Sequence, residues 1–381
     1  MRIGFVCYPT FGGSGVVATE LGKALAAKGH ELHFITYSEP ARMGSLKSNM
    51  FFHEVRVSNY PLFDFQPYEL VLTSKMVEVA IKHRLDLLHV HYAIPHASAA
   101  VMARAILASK GHHLPIVTTL HGTDITLLGK DPAFEPVISY AINQSDAVTA
   151  VSESLKSDTL KLFGCQNQTI DCIPNFICPA QYKGTPDEEL RRHIAPQGQP
   201  ILTHISNFRP VKRLDDVLKI FIEVRKKIPA KLLLVGDGPE RSRVEKAAEE
   251  MGYRDDVIFI GKIKSPIEPL RISDLFLLPS ATESFGLAAL EAMASGVPVV
   301  ASNTGGLPEV IEHGVSGFLH DVGDIESMAQ SAMSVLDNPS YLAQFKAQAI
   351  QHSERFNIAN ILPRYEAIYA RLVPTEKQSP A

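Results

Sequence analysis

Pro279-Ser280-Ala281-Thr282-Glu283-Ser284-Phe285-Gly286-Leu287-Ala288-Ala289-Leu290-Glu291-Ala292-Met293-Ala294-Ser295-Gly296-Val297-Pro298 is the stretch that decides how the chain is built. It follows the apolar run Leu275–Leu278 and leads into the run Pro298–Ala301. The spacing predicts a strand ending near Leu278, a loop carrying Glu283, and a helix over Leu287–Ser295. Backbone N–H groups at Ser284, Phe285, Gly286 and Leu287 would then open the helix, and a helix N-terminus attracts anions. Glu283 in the loop and Glu291 within the helix cannot share one helical turn, so they can reach two different hydroxylated parts of one ligand. Leu290, Ala292 and Met293 surround Glu291, which argues against an ordinary solvated charge.

The same strand–loop–helix unit recurs outward in both directions. Apolar runs occur at Ile3–Cys7, Leu32–Thr36, Phe51–Val57, Leu87–Val90, Ile116–Thr119 and Ala147–Val151, and again at Ile201–Ile205, Lys231–Val235 and Val257–Ile260. Between them, helical periodicity marks Gly15–Lys28, Tyr68–His83, Ala97–Ser109, Ala133–Gln144, Leu214–Lys227 and Glu240–Met251. Continuous apolar strands alternating with helices indicate parallel sheet covered on both faces. The pattern restarts near residue 200, after a stretch at 179–199 rich in Pro, Gly, Gln and charge, which reads as a connection. The expected architecture is α/β, with two doubly wound Rossmann-like domains facing across a cleft and joined near Ile173-Pro174-Asn175-Phe176. The boundaries are 1–175 and 176–356, with a last helix at about 357–373 returning to the first domain. The polar tail Pro374–Ala381 reads as frayed.

Composition removes several function classes. At 381 residues, the chain has room for about two domains. Its 37 basic and 41 acidic side chains give a net charge of −4, which argues against binding nucleic acid by bulk electrostatics. No run approaches the roughly 18 apolar residues that cross a bilayer, and the N-terminus reads as a first strand rather than a signal peptide. Four cysteines, Cys7, Cys165, Cys172 and Cys178, form no C-x-x-C pair, so the expected setting is the reducing cytoplasm. A P-loop and a G-x-S-x-G elbow are both missing from the sequence.

Further motifs fall at strand exits. Gly13-Ser14-Gly15-Val16-Val17-Ala18 fits a loop that lets a ligand approach the backbone and then opens a helix. The same residues satisfy G-x-G-x-x-A, so a dinucleotide fingerprint competes, as does a helix packed closely on its sheet. His89, His91 and His96 crowd another strand exit, where satisfied buried histidines are favoured over a metal site, and Tyr92 is positioned to touch a substrate. Thr119-Leu120-His121-Gly122-Thr123-Asp124 places His121 at a turn as acid, base or hydrogen-bond donor, with Asp124 capping a helix. Arg209, Lys212 and Arg213 form a local cationic run that suits a diphosphate. No D-x-D triplet supplies metal ligands, so these cations and helix N-termini would have to neutralise a departing phosphate.

Taken with Gly305-Gly306-Leu307-Pro308-Glu309, the Glu283-to-Glu291 segment resembles the retaining glycosyltransferases of the GT-B type, glycosyltransferase family 4, which includes glycogen and sucrose-phosphate synthases. The resemblance covers essentially the whole chain. Cys7-Tyr8-Pro9, Gly12-Gly13-Ser14-Gly15, His89-Val90-His91-Tyr92, Leu120-His121-Gly122-Thr123-Asp124 and Ser206-Asn207-Phe208-Arg209 are similar to its branch that joins N-acetylglucosamine, from UDP, to the hydroxyl of L-malate in bacillithiol biosynthesis.

What the resemblance implies is specific. The second domain would hold UDP-N-acetylglucosamine: Glu291 on the ribose, Glu283 on a sugar hydroxyl, Ser284, Phe285, Gly286 and Leu287 through backbone N–H groups. Arg209 and Lys212 would meet the diphosphate, beside Asn207, and the turn at Gly261-Lys262 would meet uracil. In the first domain, Gly13, Ser14, Gly15, Tyr92 and Thr119 would face the acceptor, and His121 the transferred sugar. Relatives with G-R-x-x-x-x-K carry Arg where this chain has Asn207, so the Arg209 role rests on proximity. No cofactor or metal is expected. The partners are the two small-molecule substrates, with a homodimer allowed and no nucleic acid or stable membrane insertion. Rival readings are a transferase with another acceptor, such as inositol phosphate or a lipid-linked sugar, a UDP-sugar epimerase, a nicotinamide dehydrogenase, and a non-catalytic sugar-binding protein.

Overall fold

A computed structural model describes residues 1–10, 12–44, 48–57, 65–164 and 169–373. The chain divides into two units, Met1–Asn175 with Ile358–Ala381, and Phe176–Asn357. Phe11, Cys165 and the tail Pro374–Ala381 lie outside the described residues.

The first unit runs β1 (Arg2–Val6), α1 (Gly13–Ala27), β2 (Glu31–Thr36), β3 (Met50–Glu54), α2 (Tyr68–His83), β4 (Leu87–His91), α3 (Ser98–Ala108), β5 (Ile116–Leu120), α4 (Glu135–Gln144), β6 (Ala147–Ala150), α5 (Glu153–Phe163) and β7 (Ile170–Cys172). Its strands form one seven-stranded sheet in the order β3-β2-β1-β4-β5-β6-β7, with every neighbouring pair parallel. Every residue of β4 and β5 is buried, as expected of central parallel strands covered on both faces.

The second unit continues with α6 (Pro179–Tyr182), α7 (Glu188–Ile194), β8 (Ile201–Ser206), α8 (Leu214–Arg225), β9 (Lys231–Gly236), α9 (Arg241–Glu250), β10 (Val257–Gly261), α10 (Ile267–Arg271), β11 (Leu275–Leu278), α11 (Leu287–Ala294), β12 (Val299–Ser302), α12 (Leu307–Val310), β13 (Gly317–His320), α13 (Ile325–Leu336) and α14 (Pro339–Ser353). Its sheet is six-stranded and parallel, ordered β10-β9-β8-β11-β12-β13. Leu232, Leu234, Leu275 and Leu277 face α8 and α13 in a core with Val217, Phe221 and Val335. Each sheet therefore has one reversal of winding, between β1 and β4 in the first and between β8 and β11 in the second. Ligands of open α/β sheets bind beyond the strand ends at such points.

Several expected boundaries move. The helix expected from Gly15 begins at Gly13, because Gly12 is extended (φ −68°, ψ 158°) and caps it. The run Phe51–Val57 pairs only as far as Glu54. Segment 179–199 is not a plain connection: it holds α6 and α7, the latter capped by Asp187, whose carboxylate accepts from Glu189 and Leu190 N–H at 3.0 Å. Helix α15 (Ile358–Leu372) belongs to the first unit. Its Tyr365 and Tyr369 are among the largest fully buried side chains, and Tyr369 Oη lies 2.7 Å from His89 Nδ1. No helix among the described residues is long and apolar enough to cross a membrane.

Candidate functional site

In the second unit, the loops leaving β8 and β11 meet beside the reversal of winding. The β8 loop is built from inside. His204 donates from Nδ1 to the Leu277 carbonyl (2.8 Å), and its Nε2 lies 2.8 Å from Ser206 Oγ. Burial holds this ring at about 4, so it is neutral. Ser206 Oγ in turn accepts from Phe208 N–H at 3.2 Å. Phe208 is fully buried and anchors a loop on which Asn207 and Arg209 stand exposed. Backbone joins the two loops, with Ala281 N–H donating to the Val211 carbonyl at 2.8 Å.

Across that junction Lys212 Nζ sits 2.5 Å from Glu283 Oε1, with side chains only 20% and 12% exposed. Ser280 Oγ donates to the same oxygen at 2.9 Å. Two residues 71 apart in sequence, both candidates for the chemistry, thus form one partly buried ion pair. The rest of the cationic run divides. Arg213 turns away to Asp216 Oδ2 at 2.5 Å, so it does not contribute to a phosphate clamp. Arg209 has no ion-pair partner among the described residues and is open to solvent.

Gly286, at φ 93°, caps α11, whose first turn receives no side-chain cap. Positive charge from that helix end therefore faces the loop carrying Glu283. The loop conformation is held from behind by Gly305-Gly306. Gly305 has φ +55°, and a Cβ there would fall 2.0 Å from the Glu283 carbonyl oxygen. One on Gly306 would fall 2.4 Å from that of Ser284. Gly306 N–H donates to the Glu283 carbonyl at 2.8 Å. These glycines are required because two backbones touch.

Glu291 is 7% exposed, and its Oε1 accepts from Tyr182 Oη at 2.9 Å. Tyr182 comes from α6, within the stretch read as a connection, and sequence reasoning missed it. So did Ser280. Gly261 ends β10 at φ +85°, with Lys262 exposed next to it. This places them at the same C-terminal end of the sheet, on the outermost strand.

In the first unit, the loops leaving β1 and β4 flank the corresponding reversal. Tyr92 Oη donates to Ser14 Oγ at 2.8 Å, which brings two candidate residues together, and Gly13 is exposed beside them. Tyr92 holds φ 82°, a conformation that costs a non-glycine residue about 1–3 kcal/mol. Tyr8 packs edge-on against its ring at 5.4 Å. Gly15 and Thr119 act from behind. A Cβ on Gly15 would fall 2.4 Å from the Thr10 carbonyl and 2.6 Å from that of Tyr8, so this glycine serves close packing of α1. Thr119 is fully buried, with its hydroxyl 2.7 Å from both His89 Nε2 and Thr149 Oγ1. That side chain presents no free surface to a ligand.

Four histidines line the interior. His89 has both ring nitrogens partnered, as expected. His91 and His96 do not: their Nε2 atoms are buried without a partner among the described residues. His91 Nδ1 lies 2.8 Å from His121 Nε2. An orphaned N–H is rarer in cores than an unused acceptor, which assigns the donated proton to His91 and leaves His121 protonated on Nδ1. Burial pushes His121 down to about 3, with His96 adding to the shift, so the half-buried ring is a neutral donor rather than an acid. Asp124 accepts from Ala93 N–H at 2.7 Å and Gly122 N–H at 3.3 Å. It ties the β4 and β5 exits together rather than capping a helix by its side chain, and burial raises it to about 6 against those hydrogen bonds.

Loops of this kind, on two parallel doubly wound sheets, belong to the GT-B glycosyltransferases, and the chain is a glycosyltransferase. Glycosyltransferase Family 4 matches residues 11–181, and Glycosyl transferases group 1 matches residues 186–352. More narrowly, the chain belongs to the family of the N-acetyl-alpha-D-glucosaminyl L-malate synthase of Bacillus anthracis, to which it is 45% identical over 379 residues, 99% of this chain and 98% of that protein. The fold is shared with sucrose-phosphate synthase from Thermosynechococcus elongatus (TM-score 0.79, 21% identity, 98% and 99% of the two chains). It is shared also with Anabaena HepE, solved with UDP and glucose (TM-score 0.78, 22% identity, 97% and 99%). Membership replaces the dehydrogenase reading of Gly13-x-Gly15-x-x-Ala18, in line with Gly15 meeting strand-exit carbonyls.

Proposed function

We propose that this enzyme moves N-acetylglucosamine from UDP-N-acetylglucosamine to the hydroxyl of L-malate with retention at the anomeric carbon, the step that opens bacillithiol biosynthesis. Support comes above all from the identity of 45% that runs through 99% of the chain. In this reading the unit 176–357 binds the donor and the unit 1–175 with α15 binds the acceptor.

Glu291, held by Tyr182, takes the ribose hydroxyls. Glu283 takes a sugar hydroxyl, and Gly261-Lys262 meets uracil. Arg209, Lys212 and the N–H groups from Ser284 to Leu287, next to Asn207, meet the diphosphate. In the other unit Gly13, Ser14 and Tyr92 face malate, with Gly15 and Thr119 supporting them, and His121 donates its Nδ1–H to the transferred sugar. As the bond from the anomeric carbon to the phosphate oxygen breaks, charge grows on the leaving phosphate. Fixed cations and helix N–H groups stabilise it without reorganising. The malate oxygen attacks from the same face, and its proton passes to that phosphate oxygen. No residue acts as covalent nucleophile, and the scheme calls for no metal, because side-chain cations fill that electrostatic role. The cytoplasm suits a UDP-sugar enzyme with free thiols at Cys7 and Cys178.

The test is a mass-spectrometric product assay with UDP-N-acetylglucosamine and L-malate, run beside other hydroxy-acids and inositol phosphate. Malate should give the glucosaminyl product with UDP released in equal amount. Turnover of inositol phosphate alone would establish another acceptor. Tyr182→Phe provides a separate check on the donor side. A hydrogen bond to a charged group is worth about 1.5–3 kcal/mol, so the donor KM should rise roughly tenfold or more, with kcat little changed. An unchanged KM would remove Glu291 from the ribose site.

A further inference from the structure

Away from the transfer loops, three histidines from three elements converge at the β3 edge of the first sheet. His33 comes from the middle of β2, His53 from β3, and His83 is the last residue of α2. One ring nitrogen from each lies within 4.8 Å of the others. Ring centroids are 5.1 Å apart for His33–His53, 4.5 Å for His33–His83 and 4.9 Å for His53–His83. His33 is fully buried and stacked on Phe51 at 5.0 Å, while His53 and His83 are half-buried, so the cluster opens to solvent on their side.

Orientation is set by a carboxylate. Glu31 Oε1 lies 2.8 Å from His33 Nε2, and an ionised carboxylate can only accept. The proton is therefore on Nε2, and Nδ1 carries the lone pair. His53 Nε2, 2.9 Å from that Nδ1, is then the donor. A carboxylate holding the far N–H of a histidine so that its other nitrogen points at a metal is the usual support of imidazole ligands. Burial, with the neighbouring rings His33 and His83 and with Lys75 adding and Glu78 opposing, keeps His53 at about 4. Burial likewise lowers His33. Both are neutral imidazoles at pH 7, the form that binds metals.

We propose that His33, His53 and His83 form a binding site for one divalent transition ion, zinc first, which bolts the edge strand β3 to β2 and to the end of α2. Three imidazoles with one position left to water suit zinc, cobalt and nickel, and disfavour magnesium and calcium. With Zn–N near 2.0–2.1 Å, tetrahedral ligand nitrogens stand about 3.3 Å apart. The His33–His53 pair needs only a small opening to admit the ion. His53 then moves its proton from Nε2 to Nδ1 through solvent.

The full chain, without a polyhistidine tag, is titrated with Zn2+ by calorimetry and with Co2+ by visible spectroscopy. One ion per chain, a rise in Tm and an intense tetrahedral Co2+ spectrum are expected. His83→Gln, at the half-buried helix end, should weaken binding by about 100-fold or more, and Glu31→Gln by about tenfold. Transfer activity without added metal should be unchanged in both. Absence of the Co2+ spectrum in the wild-type protein overturns the site, independently of whether any variant folds. Zinc binding that is equal in wild type and His83→Gln overturns it as well, because the ion would then sit elsewhere.

Discussion

Lys212→Ala should lower kcat by about 10²-fold or more with UDP-N-acetylglucosamine and L-malate, because a donor aimed at charge that develops only in the transition state acts on kcat more than on KM. Lys212 is a cation held in place from across the junction of two loops. Its ammonium is held 2.5 Å from Glu283 Oε1, Ser280 shares that oxygen at 2.9 Å, and the Ala281–Val211 backbone bond of 2.8 Å locks the two loops together. Lys212→Arg keeps the charge and should recover part of the rate. Arg209→Ala removes an exposed cation and should show the larger dependence on salt, since exposed charges are screened. Initial rates at saturating donor decide the matter: near-normal kcat in both alanine variants would eliminate the clamp.

Acid should unfold the first unit early. His89, His91 and His96 are all 0% exposed. Burial brings His89 to about 3 and His96 to about 4, and burial together with the neighbouring rings holds His91 well below its usual value. In the unfolded chain each titrates near 6.5. Their folded values are depressed, so the stability they contribute is whole above about pH 6.5 and is lost as pH falls toward the folded values. Each costs about 1.4 kcal/mol per pH unit in that window, or roughly 4 kcal/mol for three at pH 5.5, against a total of about 5–15 kcal/mol. Asp124 works in the opposite sense. Raised to about 6, it favours the folded state as pH falls from 6 toward 4, one group against those three and His121, which burial also lowers. Denaturant midpoints at pH 7.5 and 5.5 check the sum, and equal midpoints would mean that the rings are not held neutral.

Much of this was legible before any coordinates, and the exceptions have physical causes. β11 is wholly buried and announces itself as a continuous apolar run, and β4 and β5, just as buried, are apolar apart from His89, His91, Thr118 and Thr119. β7 (Ile170-Asp171-Cys172) and β13 (Gly317-Phe318-Leu319-His320) hold too few consecutive apolar residues to stand out. Composition hid α7. The prolines and charges of the stretch 179–199 suggested a connection, yet Asp187, Glu188 and Glu189 at one end of α7 and Arg191, Arg192 and His193 at the other are arranged as a helix dipole prefers. The candidate site shows the same division. Glu283, Glu291 and Gly286 could be found from local pattern alone. The partners that fix them, Lys212 71 residues away and Tyr182 109 residues away, depend on tertiary pairing. Thr119 looked like a ligand contact because a strand exit is all that sequence shows. Its engagement with His89 and Thr149 appears only when strands are laid side by side. The triad His33, His53 and His83 escaped for the same reason.

The return of α15 has a consequence for synthesis. The ribosome releases residues 1–175 long before Ile358–Leu372 exist, yet Tyr369 is the hydroxyl beside His89, and Tyr365 fills space under the same ring at 5.6 Å. Domains usually fold in order of emergence. Here the second unit, whose ends are tied together by Ile177 N–H on the Phe356 carbonyl at 2.9 Å, can be finished while the first still has an open seam. The unit translated first is thus the one completed last, and a nascent chain stalled before Tyr365 would leave His89 without either tyrosine.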